Sequence, residues 1–397
     1  MKVCMITGSF PRMVCGVGDY TAQLCRSLSK FGVEVVVITS KDPQIESNST
    51  LQNEALKVLP AIKGWVWLDL FKLYSMLKII EPDIIHIQYQ TSIYNKRSMV
   101  VFLPFFIRIL LPYIKIVTTF HDLEGPKPFP GSHRLKLSRL LLLFPLLFCH
   151  KSIICGEPYK KKLASFLPVK KKIDVIPIGP GLPCNLFRNL NREEVRSQIG
   201  VKSEETLLSS FGFVEGSRDF KNLLFTLNIL LRKGIEAKLI LIGGKSKTVY
   251  GFTNYSEGLR DHAMELGILE RIVFTGYCDS EEVSKYILCS DMSVLPFTEP
   301  DYLYRSTSFP LLLSHGRAVI ITGGKDMPEW LIDGHNVIFV RTHAPSNWAE
   351  AIENLIRRKA LCKEIGKNAR NLFLQRYSWD HIGSEIIGLY KELNGKV

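Results

Sequence analysis

Four clusters in this chain of 397 residues hold side chains suited to chemistry. Gly16-Val17-Gly18 opens a helical pattern marked by Leu24, Leu28 and Phe31. Two glycines let backbone approach a ligand closely, and a helix N-terminus presents free amides to an anion. His121-Asp122 follows the apolar run Ile114 to Thr119, which puts an imidazole at the carboxyl end of a strand. Arg218 and Lys221 fall in the loop after Leu207 to Phe211, where cations can neutralise the charge building on a departing diphosphate. Arg305-Ser306-Thr307-Ser308 precedes the helix-like stretch Phe309 to His315, and hydroxyls with free amides at a helix start make an anion nest. Each cluster also has a plainer reading: a tight turn, a hydrogen-bonded histidine, solvated loop charges, an ordinary N-cap. Gly243-Gly244-Lys245-Ser246 imitates the end of a P-loop, but Leu239 stands where that motif needs a glycine, inside an apolar run.

The elements that must position these clusters alternate along the chain. Short apolar runs at Val3 to Ile6, Val33 to Thr39, Ile84 to Gln88, Ile114 to Thr119, Ile153-Ile154 and Val175 to Ile178 predict one sheet. Leu207 to Phe211, Leu239 to Ile242, Ile272 to Phe274, Met292 to Leu295, Ala318 to Ile321 and Val337 to Val340 predict a second. The two halves open alike, with strand, loop and helix, so two α/β domains are expected. Pro177-Ile178-Gly179-Pro180-Gly181-Leu182-Pro183 reads as the linker between them. The last thirty residues read as helical, with Tyr377-Ser378-Trp379 introducing the final helix. Sheets of this kind bind at the carboxyl ends of their strands, so a ligand is expected between the domains.

Composition narrows the class. Apolar residues make up 46% and charged residues 22%, which is a core-forming balance and not a disordered one. The net charge of +13 favours polyanionic partners: nucleic acid, anionic lipid or nucleotide phosphates. No nucleic-acid-binding signature accompanies it, so nucleic acid is the least favoured. Nine cysteines without CxxC pairs, and a start that runs straight into a strand, point to reduced thiols in a cytoplasmic protein. Nine histidines without HExxH or a paired spacing with cysteine argue against a structural zinc site. Val100 to Leu111 and Leu140 to Cys149 are more apolar than surface helices require, with Arg134, Lys136 and Arg139 just before the second. Both fall short of the roughly 20 apolar residues that a membrane span needs. They fit buried core helices or a face lying on an anionic membrane surface, to which Lys160 to Lys162 and Lys170 to Lys172 add slightly.

Taken in order, the motifs resemble the retaining glycosyltransferases of family 4. The resemblance runs almost end to end: GVGDYT at 16–21, His-Asp after a strand, VIPIG at 175–179, FGF at 211–213 with Lys221, and LILIGG at 239–244. It continues through FTGY at 274–277, LPF at 295–297, SHGRAVIIT at 314–322, DMPEWLIDGHN at 326–336 and the terminal RYSW. The resemblance implies an α/β protein of GT-B fold, two Rossmann-like doubly wound domains facing a cleft. On that pattern residues 1–180 form the acceptor-side domain, 181–375 the nucleotide-sugar domain, and 376–397 a helix crossing back. It implies that Gly16 and Gly18 approach the donor phosphate or sugar, that His121 contacts the transferred sugar, and that Lys221 with Arg218 holds the diphosphate. Arg305, Ser306, Thr307 and Ser308 belong to the same donor site. The donor is expected to be a UDP- or GDP-sugar, and the acceptor a saccharide or lipid-linked saccharide. No DxD motif occurs in the chain, so no metal or other cofactor is expected.

The chain departs from the family at two places. The usual E-x7-E element is replaced by Leu303 and Leu311, and Phe213 stands where an arginine is usual, with Arg218 nearby. Arg305 to Ser308 resembles an Arg-x-Gly-Ser pattern of a family subset, with Thr307 for the glycine. These departures leave a second reading, a degenerate relative that binds nucleotide or glycan without turnover. An NAD-dependent oxidoreductase is disfavoured by the incomplete glycine spacing at Gly16-Val17-Gly18. A phosphorylase would need a pyridoxal-phosphate lysine that nothing singles out.

Overall fold

The computed structural model describes residues 1–11, 13–42, 55–123, 141–164, 172–187, 189–214, 217–244 and 255–395. Arg134, Lys136, Arg139, Lys170, Lys171, Lys245 and Ser246 lie outside the described residues. The chain forms two compact units: Met1–Gly181 together with Trp379–Val397, and Leu182–Ser378.

The first unit carries β1 (Lys2–Ile6), β2 (Glu34–Ser40), β3 (Leu56–Ile62), β4 (Ile84–Tyr89), β5 (Lys115–Phe120), β6 (Lys151–Ile154) and β7 (Ile173–Val175). They pair in parallel in the order β3-β2-β1-β4-β5-β6-β7. The second unit carries β8 (Thr206–Phe211), β9 (Ala237–Ile242), β10 (Ile272–Gly276), β11 (Met292–Leu295), β12 (Ala318–Thr322) and β13 (Ile338–Val340). They too pair in parallel, in the order β10-β9-β8-β11-β12-β13. Each order reverses beside its first strand, the signature of a doubly wound sheet. Helices cover both faces of such a sheet, which is why its strands read as continuous apolar runs. All six residues of β4 are buried, His86 and Gln88 included.

Two strands differ from the expectations. β3 was hidden by Pro60, which lacks an N–H, but β3 is the edge strand, where one missing donor is tolerated. The last strand of the first sheet is Ile173–Val175, not Val175 to Ile178. Ile176 still donates to the Ile154 carbonyl at 3.1 Å, and the ladder then stops at Pro177, which has no N–H to give.

The helix Trp379–Leu393 belongs to the first unit and packs on the helix Gly16–Lys30. Ser27 Oγ donates to the Trp379 carbonyl at 2.6 Å, and Lys30 pairs with Asp380 at 2.7 Å. A Cβ on Gly383 would collide with Ser27, so close approach of the two helices requires glycine there. Further along, the Tyr390 hydroxyl is hydrogen-bonded to His86 Nδ1 at 2.5 Å, and His86 Nε2 to Thr119 Oγ1 at 2.7 Å. Burial pushes the His86 imidazole down to about 3, so the ring is neutral and both its nitrogens are satisfied. Tyr390→Phe should orphan His86 Nδ1 and cost about 1–3 kcal/mol, the usual penalty for a buried polar group left unpaired. Urea unfolding measures this, and an unchanged midpoint would show that the bond adds nothing.

Candidate functional site

In the first unit, candidate residues gather after β1 and β5. Cys15, in extended conformation, caps the helix Gly16–Lys30 without a side-chain hydrogen bond. The first amides of the helix have no carbonyl partner within it. A Cβ on Gly18 would stand 3.0 Å from Ser9 Oγ and 3.2 Å from the Phe10 nitrogen, so this helix start lies directly on the loop after β1. One turn in, Asp19 is half-buried, and burial pushes its carboxyl up to about 7, with Arg26 pulling the other way.

His121 directly follows β5, with its amide donating to the Tyr89 carbonyl at 2.9 Å. Its side chain is 4% exposed. Gln88 turns its amide nitrogen to Met5 Sδ, so its Oε1 accepts from His121 Nε2 at 2.8 Å. That bond fixes the Nε2–H tautomer and leaves Nδ1 as the acceptor. Burial pushes this imidazole down to about 3. Such a ring offers a lone pair to a hydroxyl, and no positive charge to a phosphate. The Tyr20 ring packs edge-to-face on it at 4.9 Å, so the helix begun by Gly16 also braces His121.

In the second unit, Arg218 is the organiser. Its guanidinium donates to the Phe211 carbonyl at 2.6 Å and to Ser308 Oγ at 2.9 Å, and it lies over Phe297. Arg218 is 6% exposed. Gly212 makes room for it: the backbone there has φ of 130°, and a Cβ would strike the guanidinium. The predicted diphosphate cation is thus committed to tying the loop after β8 to the helix Ser308–Ser314. Lys221 is exposed in the first turn of the helix Phe220–Arg232, which Asp219 caps by accepting from the Asn222 amide at 3.1 Å. Lys221 is therefore the cation of this pair that faces solvent.

Ser306 Oγ accepts from the Phe309 amide at 3.2 Å, so one predicted anion ligand serves as a helix cap. Thr307 is half-buried beside it. Arg305 stacks on Tyr302 at 4.7 Å, and its Nε is buried without a hydrogen-bond partner. Leu303 and Leu311, which stand in place of the glutamates, are 5% and 0% exposed within an apolar cluster that includes Phe297, Phe309 and Leu312. Hydrocarbon therefore fills both positions. The structure unites Arg218 with Ser308 in the second unit; Gly16, Gly18 and His121 belong to the first. Asp19 was not among the expected site residues, although its place after the two glycines was visible. Among the described residues, no group of three or more His, Cys, Asp or Glu is placed to hold a metal ion.

Two doubly wound parallel sheets, each reversing beside its first strand, are the layout of the GT-B fold. Two family models match in succession, Glycosyltransferase Family 4 over residues 14–179 and Glycosyl transferases group 1 over residues 191–372. The chain belongs to glycosyltransferase family 4. An uncharacterized glycosyltransferase of Methanocaldococcus jannaschii is 23% identical over 98% of this chain and 98% of its own. The alpha-monoglucosyldiacylglycerol synthase of Streptococcus pneumoniae is 22% identical over 80% of this chain and 71% of its own. Anabaena HepE, solved in complex with UDP-glucose, superposes with a TM-score of 0.76 at 16% identity, covering 99% of this chain and 100% of that one.

The raised Asp19 carboxyl carries a pH signature. A proton held more tightly in the folded than in the unfolded chain stabilises the fold at low pH. That stability is lost as pH rises from the ordinary value of 3.8 through about 7. Asp19→Asn removes the titration, so its melting temperature relative to the parent protein should climb across that window and level off above it. A difference independent of pH would mean the carboxyl is not raised.

Proposed function

We propose that this enzyme moves a sugar from a nucleoside-diphosphate sugar, with retention of configuration, to a lipid-linked or saccharide acceptor at a membrane surface. The observation that carries the donor half is the cluster after β8 and β11, where Arg218 braces Ser308 and Lys221 stays open to solvent. In that arrangement Lys221 meets the charge that builds on the leaving diphosphate, and Arg218 holds the backbone that lies around it. Arg305, whose Nε is buried without a hydrogen-bond partner, is the second cation assigned to the donor in this reading. His121 accepts from a hydroxyl of the transferred sugar through Nδ1. The UDP-glucose complex of HepE, a protein of the same fold, favours uridine over guanine.

The acceptor half rests on a surface of the first unit. Trp67, Phe102, Phe144, Phe105 and Phe148 form a run of ring contacts, with Trp67 against Phe102 at 5.5 Å and Phe102 against Phe144 at 4.5 Å. Leu68, Phe71 and Ile109 beside it are 78%, 73% and 59% exposed. Arg108 and Lys72 are exposed residues at this surface, with Lys72 Nζ donating to the Ala61 carbonyl at 2.8 Å and Arg108 to the Phe148 carbonyl at 3.4 Å, and such cations suit anionic headgroups around an apolar face. No helix among the described residues is long and apolar enough to cross a membrane. The Streptococcus pneumoniae relative is named for a diacylglycerol lipid product, which favours a lipid acceptor here.

Thermal melting against UDP, GDP and ADP tests the donor site, since a ligand of the native state raises the melting temperature by mass action. A selective rise with UDP that Lys221→Ala abolishes is the expected result. No rise with any nucleotide would count against the donor reading, and binding without turnover would favour the degenerate relative. Flotation with vesicles rich in anionic lipid tests the surface. The protein should float at low salt, and Trp67→Ser with Phe71→Ser should release it; a protein that never floats sinks the membrane half.

A further inference from the structure

We propose that Trp379 is a positioning residue for His121, acting through Tyr20. The three rings form one packed series: Trp379 lies 5.2 Å from Tyr20, and Tyr20 lies 4.9 Å from His121. Tyr20 is 2% exposed, so it has no room to turn unless a neighbour moves. Trp379 itself is fastened on three sides. Its Nε1–H donates to the Pro180 carbonyl at 3.1 Å, its own carbonyl accepts from Ser27, and its six-membered ring lies on Gly179. A Cβ on Gly179 would come within 2.8 Å of Trp379 Cζ2, so the contact requires glycine.

The place of these fastenings gives the series its meaning. The chain leaves the first unit after Gly181 and re-enters it at Trp379. Trp379 therefore clasps the outgoing passage, at Gly179 and Pro180, to the first residue of the returning one. The orientation of the His121 imidazole is held by one hydrogen bond, from Nε2 to Gln88, and by the Tyr20 ring across it. A hydrogen bond alone leaves the ring free to rock about that axis; the Tyr20 contact removes this freedom and fixes where Nδ1 points. Both passages of the chain between the units thus bear on the direction of one lone pair. That this lone pair serves the transferred sugar rests on the transfer reading above.

Histidine-selective 15N labelling, with His121 assigned through His121→Gln, reads the ring directly, and steady-state transfer kinetics read its consequence. The parent protein should show His121 in a single Nε2–H tautomer. Trp379→Ala should shift and broaden the His121 nitrogen signals and lower kcat about tenfold, with the donor KM changed less than about twofold, since misplacing a group by a fraction of an ångström acts on the chemical step. Trp379→Phe keeps a ring against Tyr20 and should restore both readouts towards the parent. If Trp379→Ala does not fold, Tyr20→Leu breaks the same series one step later and carries the same expectations. A folded variant with parental His121 signals overturns the proposal, as does one with shifted signals and an unchanged kcat. Failure of the transfer reading is distinct, because the parent protein then turns over no donor and the nitrogen spectrum alone decides whether Trp379 orients His121.

Discussion

Reversal of strand order beside the first strand of each sheet is the constraint on which the rest of the molecule depends. All strands of a parallel sheet end at one edge, and at the reversal the following connections leave in opposite directions. The loop after β1 leads into the helix begun by Gly16 and Gly18, and the loop after β8 carries Arg218 and leads into the helix that holds Lys221. Arg305 to Ser308 follow β11, the neighbour of β8 across the reversal. The chemistry is assembled by topology before any side chain acts, and the side chains then settle which groups brace and which face solvent.

Arg218 illustrates that division. A guanidinium with five donors can satisfy a carbonyl and a hydroxyl while stacking on a ring, and this one does all three. The cost is that little of its charge remains open to solvent, so the exposed Lys221 is the more available of the two cations. The leucines at 303 and 311 complete the picture. Their burial among Phe297, Phe309 and Leu312 gives the helix Ser308–Ser314 an apolar seat where a pair of carboxylates would have needed partners. The site is held together by packing and one arginine, with no acidic pair at those two positions.

Much of this was legible in the sequence, and the misses have physical causes. Eleven of the expected strand runs fell on or within a residue of strands, because doubly covered parallel strands are plain apolar runs. β3 was lost because Pro60 argues against a strand unless the strand is known to lie at an edge, a fact of the sheet and not of the segment. The end of the first sheet was misplaced because apolar residues continue past the point where Pro177 stops the ladder. At the site, residue types and order brought out His121, Lys221 and Arg218. They did not reveal that His121 is neutral or that Arg218 is spent on Phe211 and Ser308, since both follow from partners distant in the chain. Asp19 lay inside a motif already noticed; only its burial, which depends on what packs over the helix, sets it apart. The bond between Tyr390 and His86 joins residues 304 apart, beyond any local pattern.

The return of the helix Trp379–Leu393 to the first unit has a consequence for biosynthesis. Domains usually fold in the order in which they leave the ribosome. Here the first unit emerges early but lacks the helix that covers Tyr20 and satisfies His86. The second unit, Leu182–Ser378, is continuous in sequence and is complete before that helix is made. A nascent first half must therefore wait, with an unfilled apolar seam and a bare buried-type histidine, while the whole second half is translated. Chains stalled before that helix carry an unfinished first unit, in which Tyr20 lacks its Trp379 neighbour and His86 its Tyr390 partner.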